Sequence, residues 1–128
     1  MKSHFSKAGI LLAHGSRDPL WMEPLKKILE KVRLNNPAVL WELAFLESCA
    51  PNLEGCLKTL VADHSSIFSV KIIPVFMAAG THLRQDLPRL VKPLKELHPH
   101  LKIEIGSVLG EEEKIQEALA HFISHSFT

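Results

Sequence analysis

Ala8-Gly9-Ile10-Leu11-Leu12-Ala13-His14-Gly15-Ser16-Arg17-Asp18-Pro19 is the stretch that decides the fold. It opens as a short apolar run, the pattern of a buried strand bounded by turn residues. It then breaks into a loop presenting a histidine, a glycine, a serine and an arginine. Asp18-Pro19 marks a helix start. The carboxylate accepts from an early backbone N–H, and proline's missing N–H is an orphan at the first helical position anyway. A strand that passes through a polar loop into a helix sets functional groups at the carboxyl edge of a parallel sheet. A second stretch repeats the pattern: Ile72-Ile73-Pro74-Val75-Phe76-Met77, then Ala78-Ala79-Gly80-Thr81-His82, then Asp86-Leu87-Pro88. Each is an apolar strand, a loop carrying one histidine, and an aspartate close before a proline. Function is expected between the two loops.

Outward from these stretches, apolar and polar runs alternate in a regular order. Trp21, Leu25, Ile28, Leu29 and Val32 keep helical spacing, and Asn35-Asn36-Pro37 ends that helix. Val39 to Phe45 is dense in branched and aromatic residues and predicts a second strand. It leads through Leu46-Glu47-Ser48-Cys49-Ala50-Pro51 into a helix with an apolar stripe of Leu53, Cys56, Leu57, Leu60 and Val61. Ile67 to Met77 predicts the third strand, with Pro74 disturbing its ladder. A third helix is predicted from about Asp86 to Leu97, kinked or broken early at Pro93. Leu101 to Val108 alternates like an edge strand with one wetter face. Glu111-Glu112-Glu113 opens a last helix whose buried stripe is expected to be Ile115, Ala118, Leu119, Phe122 and Ile123. The order βαβαβαβα implies one α/β domain over residues 1–128: a parallel sheet with helices on both faces and strand order 2-1-3-4. In that order the chain reverses direction between strands 1 and 3, and a ligand crevice opens at their carboxyl ends. His14 leaves strand 1 and His82 follows strand 3.

Composition narrows the function. Fifteen Lys+Arg against fourteen Asp+Glu leave a formal charge of +1, so there is no basic footprint for nucleic acid. No apolar run approaches the roughly 20 residues that span a bilayer. Met1 to Lys7 is too short and polar for a signal peptide. Cys49 and Cys56 form neither a disulfide framework nor a CxxC pair and are expected as reduced thiols. A cytoplasmic location follows as the expectation. Of the eight histidines, His4, His64, His98, His100, His121 and His125 fall in termini, helix ends or turns, with His64 and His98 suited to helix C-termini.

His14 and His82 differ from the other six by their place. Two neutral imidazoles facing one crevice bind a borderline divalent metal such as Co²⁺, Ni²⁺, Fe²⁺ or Zn²⁺ and leave positions open. A structural zinc site would need four closed ligands, and no Cys/His cluster supplies them. Glu47 falls on the same edge. It is either a solvated acid pairing with Arg17 or Lys58, or a third polar group that binds metal or takes a proton. Glu42, within the second strand, needs a partner if buried. Ser16 lacks a GxSxG elbow and is not read as a nucleophile.

Ala13-His14-Gly15-Ser16-Arg17-Asp18-Pro19, the run Ala44-Phe45-Leu46-Glu47 with Pro51 after it, and Gly80-Thr81-His82-Leu83-Arg84-Gln85-Asp86-Leu87-Pro88 together resemble the CbiX family over essentially the whole chain. That family comprises class II tetrapyrrole chelatases that insert Co²⁺, or in relatives Ni²⁺ or Fe²⁺, into sirohydrochlorin or its amidated derivative, in cobalamin- or siroheme-type biosynthesis. The resemblance implies a chelatase-like (flavodoxin-like) three-layer α/β sandwich and a lyase. The divalent metal is its substrate and no other cofactor is required. The length resembles the short form, half of the two-lobed chelatases, which implies a homodimer holding the macrocycle between subunits. By position, His14 resembles the metal-binding histidine that accepts a proton, and His82 the second metal ligand. Met77, Ala78, Ala79, Gly80 and Thr81 match the segment lining the tetrapyrrole, Ala50 falls near substrate, and Glu47 belongs with these binding residues. The chain departs from some relatives at Ala50 and Ala79 and lacks the histidine-rich insertion of certain nickel enzymes. Arg17 and Arg84 are candidate partners for substrate carboxylates. Nothing resembles a P-loop, so ATP is not expected.

Two other readings compete. A metal- or tetrapyrrole-carrying module would keep the fold and both histidines without turnover. A phosphohydrolase using His14 as nucleophile would want an arginine directly before it, where this chain has Ala13.

Overall fold

In the computed structural model, which describes residues 4–127, apolar strand runs and amphipathic helices alternate. The strands are β1 (Lys7–Ala13), β2 (Leu40–Phe45), β3 (Ser69–Pro74) and β4 (Lys102–Ile105). The helices are α1 (Glu23–Asn35), α2 (Leu53–Asp63), α3 (Thr81–Leu97) and α4 (Glu113–Ser124), with 3-10 turns at Pro19–Met22 and Leu109–Glu111. All pairings are parallel and the order is β2-β1-β3-β4, as the sequence predicts. Met1–Ser3, part of the segment read as no signal peptide, lies outside the described residues.

β1 is the axis. Six of its seven residues are buried, because it pairs on both sides and carries apolar side chains on both faces. On one face Ala8, Ile10 and Leu12 join Val70, Ile72, Ala44 and Ile103 beneath Leu53, Cys56, Leu57 and Leu60 of α2 and Leu87, Val91 and Leu94 of α3. On the other face α1 packs against β2, and Trp21, just before it, meets the ring of Phe45 at 6.2 Å. At the outer edge of β2 the Arg33 guanidinium donates to the Trp41 carbonyl through two nitrogens at 2.8 and 3.2 Å, and it pairs with Glu42 at 3.4 Å. Glu42 therefore has the partner its half-buried place in the strand calls for.

Several boundaries differ from the sequence expectation. α3 begins at Thr81, not near Asp86, because Gly80 adopts the extended N-cap conformation and its carbonyl accepts the Arg84 N–H at 3.1 Å. His82 consequently sits in the first turn of α3 and not in a loop. Pro88 and Pro93 lie inside a helix that does not break early. Both are exposed, so the carbonyls they leave unbonded are open to water, while Leu87, Val91 and Leu94 keep the helix on the sheet. Pro51 precedes α2 and does not open it; Asn52 is the cap, accepting from Gly55 N–H at 2.8 Å. β3 is shorter than Ile67 to Met77, and β4 shorter than Leu101 to Val108.

α4 departs most. It buries none of its residues. Ile115 and Leu119 are half-buried, Ala118 is exposed, and Phe122 and Ile123 are 75% and 64% exposed. The apolar stripe is present, but nothing among the described residues covers it. The α1 side of the sheet keeps a hollow of about 150 Å³, lined by Leu11, Ile28, Val32, Trp41, Ile73, Val75 and Leu109. No helix among the described residues is long and apolar enough to cross a membrane.

Cys49 is half-buried and Cys56 buried, both as free thiols. Burial, reinforced by the charge of Glu42, pushes the Cys56 thiol up to about 12. An unfolded cysteine titrates near about 8.5. Keeping this thiol neutral therefore favours the fold fully below that value, and the contribution falls as pH rises from there toward 12. In the native protein at pH 8, Ellman's reagent should titrate Cys49 and reach Cys56 only in denaturant. A Cys49→Ser variant that still reacted rapidly when native would contradict this burial.

Candidate active site at the carboxyl edge of the sheet

Strand pairing does not stop where the strands end. Beyond β1 and β2 the ladder continues into the loops, with Leu46 N–H donating to Ala13 C=O and Glu47 N–H to His14 C=O, each at 3.0 Å. Two polar loops are thereby zipped together along their backbones. The His14 ring Nε2 lies 2.8 Å from Glu47 Oε1, with the side chains 60% and 62% exposed. Glu47 thus pairs with His14, and not with Arg17 or Lys58 as the solvated-acid alternative had it. A carboxylate this close favours the tautomer with its proton on Nε2, and in that form the Nδ1 lone pair is open to a proton or a metal.

The chain turns tightly here. Gly15 has φ +104, and a Cβ built on it would fall 1.7 Å from the Glu47 carbonyl oxygen. Only glycine lets the first loop lie against the second. Ser48 answers with a left-handed φ of 66, and Cys49 N–H closes back on the Glu47 carbonyl at 2.9 Å. The Ala50–Pro51 peptide is cis, and the Pro51 carbonyl accepts from Phe45 N–H at 2.9 Å.

On the other side of β1, Val75 N–H donates to the Leu12 carbonyl at 2.8 Å, so the segment after β3 leaves the sheet beside the segment after β1. It runs through Met77, Ala78, Ala79, Gly80 and Thr81 into α3. Met77, Ala78, Gly80 and Thr81 are exposed, and Ala79 is buried. His82 is exposed in the first helical turn. Ala50 is exposed in the β2–α2 loop and borders a hollow of about 390 Å³ along the outer edge of β2. Every expected site residue therefore lies on one edge of the sheet, and most present small or apolar surface. Among the described residues no group of three or more His, Cys, Asp or Glu side chains is gathered as a metal cage.

Arg84 places Nη2 3.2 Å from Glu111 Oε1 while its side chain stays 67% exposed, so one of its nitrogens is engaged within the chain and the rest of the guanidinium faces solvent. Arg17 is exposed and, among the described residues, makes no ion pair. Glu111 was read from sequence only as a helix-dipole acid. Its carboxylate reaches across from the end of β4 to the β3–α3 loop. The Ala79 N–H bond first, and Arg84 second, hold its carboxyl below the usual carboxylate range. The available signal was topological: strands 3 and 4 are neighbours, so the loops after them share an edge.

With that geometry in place, comparison with known proteins is direct. The profile of the CbiX family matches residues 8–126. This chain belongs to the CbiX family. A sirohydrochlorin cobaltochelatase of Saccharolobus solfataricus is 32% identical over 124 residues, covering 92% of this chain and 94% of that protein. A counterpart from Saccharolobus islandicus is 31% identical over the same span. Among solved structures, a CbiX protein from Marinobacter aquaeolei VT8 superposes with a TM-score of 0.81 at 26% identity, covering 94% of this chain and 97% of that one. The sirohydrochlorin chelatase SirB from Bacillus subtilis subspecies spizizenii, solved with cobalt, shares the fold with a TM-score of 0.79 at 21% identity. The match takes in 95% of this chain and 51% of SirB.

Gly15→Ala tests the contact that holds the two loops together. A methyl group cannot share space with the Glu47 carbonyl, and φ is unfavourable for alanine, so the variant should lose more than about 1 kcal/mol in urea unfolding. Imidazole ¹⁵N shifts of His14 should lose the signature of a fixed Nε2–H tautomer. Unchanged stability and shifts would show that the loops accommodate a side chain there.

Proposed function

We propose that this CbiX protein inserts a divalent metal, Co²⁺ foremost with Ni²⁺ and Fe²⁺ as the other candidates, into sirohydrochlorin or a closely related tetrapyrrole. The observation that carries the reading is the His14–Glu47 pair at the carboxyl edge of β1, beside an exposed apolar loop, in a chain of this family. Metallation releases two pyrrole N–H protons for each divalent ion taken up, so charge balances only if a base receives them. His14, whose Nε2 faces Glu47, offers its Nδ1 lone pair first to the metal and, once the metal has passed to the macrocycle, to one of the two protons, while the other leaves to solvent. His82, in the first turn of α3, is assigned as the second metal ligand. Met77, Ala78, Ala79, Gly80, Thr81 and Ala50 are assigned to the macrocycle, whose flat faces suit an open apolar surface better than a closed pocket. The reaction needs no nucleotide and belongs in the cytoplasm, a setting that suits two free cysteines.

The active species is proposed to be a homodimer. Two features support it. The chain spans about half of the SirB structure it resembles. And the uncovered stripe of α4 and the open hollow on the α1 side of the sheet are complementary in kind, as two copies related by a two-fold axis would need.

Anaerobic absorbance spectroscopy of sirohydrochlorin with each metal tests the chemistry. The protein should accelerate the metal-dependent spectral change over the protein-free rate. His14→Ala should lose about a hundredfold or more, the usual scale for removing a general base. Glu47→Gln should lose about tenfold, as for a group that orients a ligand, and His82→Ala should raise the metal concentration needed. Binding of the tetrapyrrole without acceleration by any metal would leave a carrier and remove the catalytic role of His14.

Light scattering tests the assembly. The wild-type chain should run near twice its 14.3 kDa mass. Phe122→Glu combined with Ile123→Glu, both exposed in the single chain, should run as a folded monomer. A double variant that remained dimeric would place the contact elsewhere.

A further inference from the structure

The β3–α3 loop has little means of holding its own shape. Its side chains from Met77 to Thr81 are small, apolar or exposed, and none makes a hydrogen bond among the described residues. The Ala79 N–H falls after the last strand residue and before the first helical one, so neither ladder nor helix supplies it an acceptor.

The connection between β4 and α4 supports the loop. Glu111 Oε1 accepts from the Ala79 N–H at 3.2 Å and from Arg84 Nη2 at 3.2 Å. Gly110 N–H donates to the Phe76 carbonyl at 2.8 Å. A Cβ on Gly110 would lie 2.0 Å from the Met77 carbonyl oxygen, so the two backbones touch. Gln116 Nε2 donates to the Gly110 carbonyl at 3.1 Å, tying this underlay to the first turn of α4. The loop is thus held at Phe76, Met77 and Ala79 from one side, and Arg84 extends the hold into the turn of α3 that bears His82.

From this arrangement we propose that Glu111 is a positioning residue for metal insertion. Its carboxylate fixes the Met77–Gly80 loop and the start of α3 in the shape that receives the tetrapyrrole. The assignment rests on the proposal that this loop lines the substrate. Glu111 itself touches neither metal nor macrocycle. Its effect passes through the Ala79 amide, so it should appear in substrate affinity and not in the chemical step. Glutamine keeps a side-chain oxygen to accept that amide. Alanine removes both acceptors.

The test combines amide exchange with steady-state kinetics on the full chain. In Glu111→Ala, Ala79 amide exchange should quicken about tenfold or more, as for a bond to a charged acceptor that is lost. The KM for sirohydrochlorin should rise about fivefold to tenfold, with kcat within about twofold, the pattern of lost uniform binding. Glu111→Gln should restore KM to within about twofold of wild type. Unchanged Ala79 exchange in Glu111→Ala would overturn the proposal, as would a fall in melting temperature with the sirohydrochlorin KM unmoved. If the wild-type protein turned over no metal at all, the chelatase reading would fall, and Ala79 exchange together with tetrapyrrole binding by absorbance titration would still decide the role of Glu111.

Discussion

The pairing of β1 on both sides is the constraint from which the candidate site follows. Because β1 is central and parallel to each neighbour, its carboxyl end and those of β2 and β3 emerge together. Hydrogen bonds past the strand ends carry the alignment outward, from Leu46 and Glu47 to the first loop and from Val75 to Leu12. The positions of His14, Glu47 and the start of the segment after β3 are thereby set by backbone, while the His14 and Glu47 side chains stay exposed. An exposed site placed by a buried strand combines accessibility with small positional freedom. Gly15 closes the arrangement, since any larger residue would part the loops at the point where histidine and glutamate meet.

Much of this was legible in the residues. Short apolar runs bounded by polar loops gave four strands, and the βα alternation with right-handed crossovers led to the order 2-1-3-4. His14 and His82 stood out because each followed such a run. What could not be read depended on contacts between distant segments. The expected start of α3 at Asp86 placed too much weight on an Asp-before-proline signal. The observed start relies on the extended conformation of Gly80 and on Leu83, Leu87 and Val91 packing on the sheet. Likewise the helical period of α4 was correct, and its burial was not. Periodicity says that a face wants cover, and it is silent on which surface provides it. The Glu47 alternatives were decided only by geometry, at 2.8 Å from His14.

Two regions of the edge are held in different ways. The His14 and Glu47 loops are joined directly, backbone to backbone. The β3–α3 loop is propped from beneath by Gly110 and Glu111, at the end of the neighbouring strand. The first arrangement suits groups that must keep a fixed separation during chemistry. The second fits a surface of alanines and one methionine, which offers shape and apolar contact with few polar anchors of its own.

Arg33 has a further consequence. An edge strand exposes a row of unpaired backbone groups and invites another chain to extend the sheet. Here the guanidinium already occupies the Trp41 carbonyl on the outer side of β2, and its bond to Glu42 keeps it there. At the opposite margin Lys102 and Glu104 line β4 with paired charges. Both rims of the sheet are thus guarded against lateral stacking into fibrils, and a protein that leaves a greasy helix uncovered remains poorly suited to amyloid-like growth along its strands.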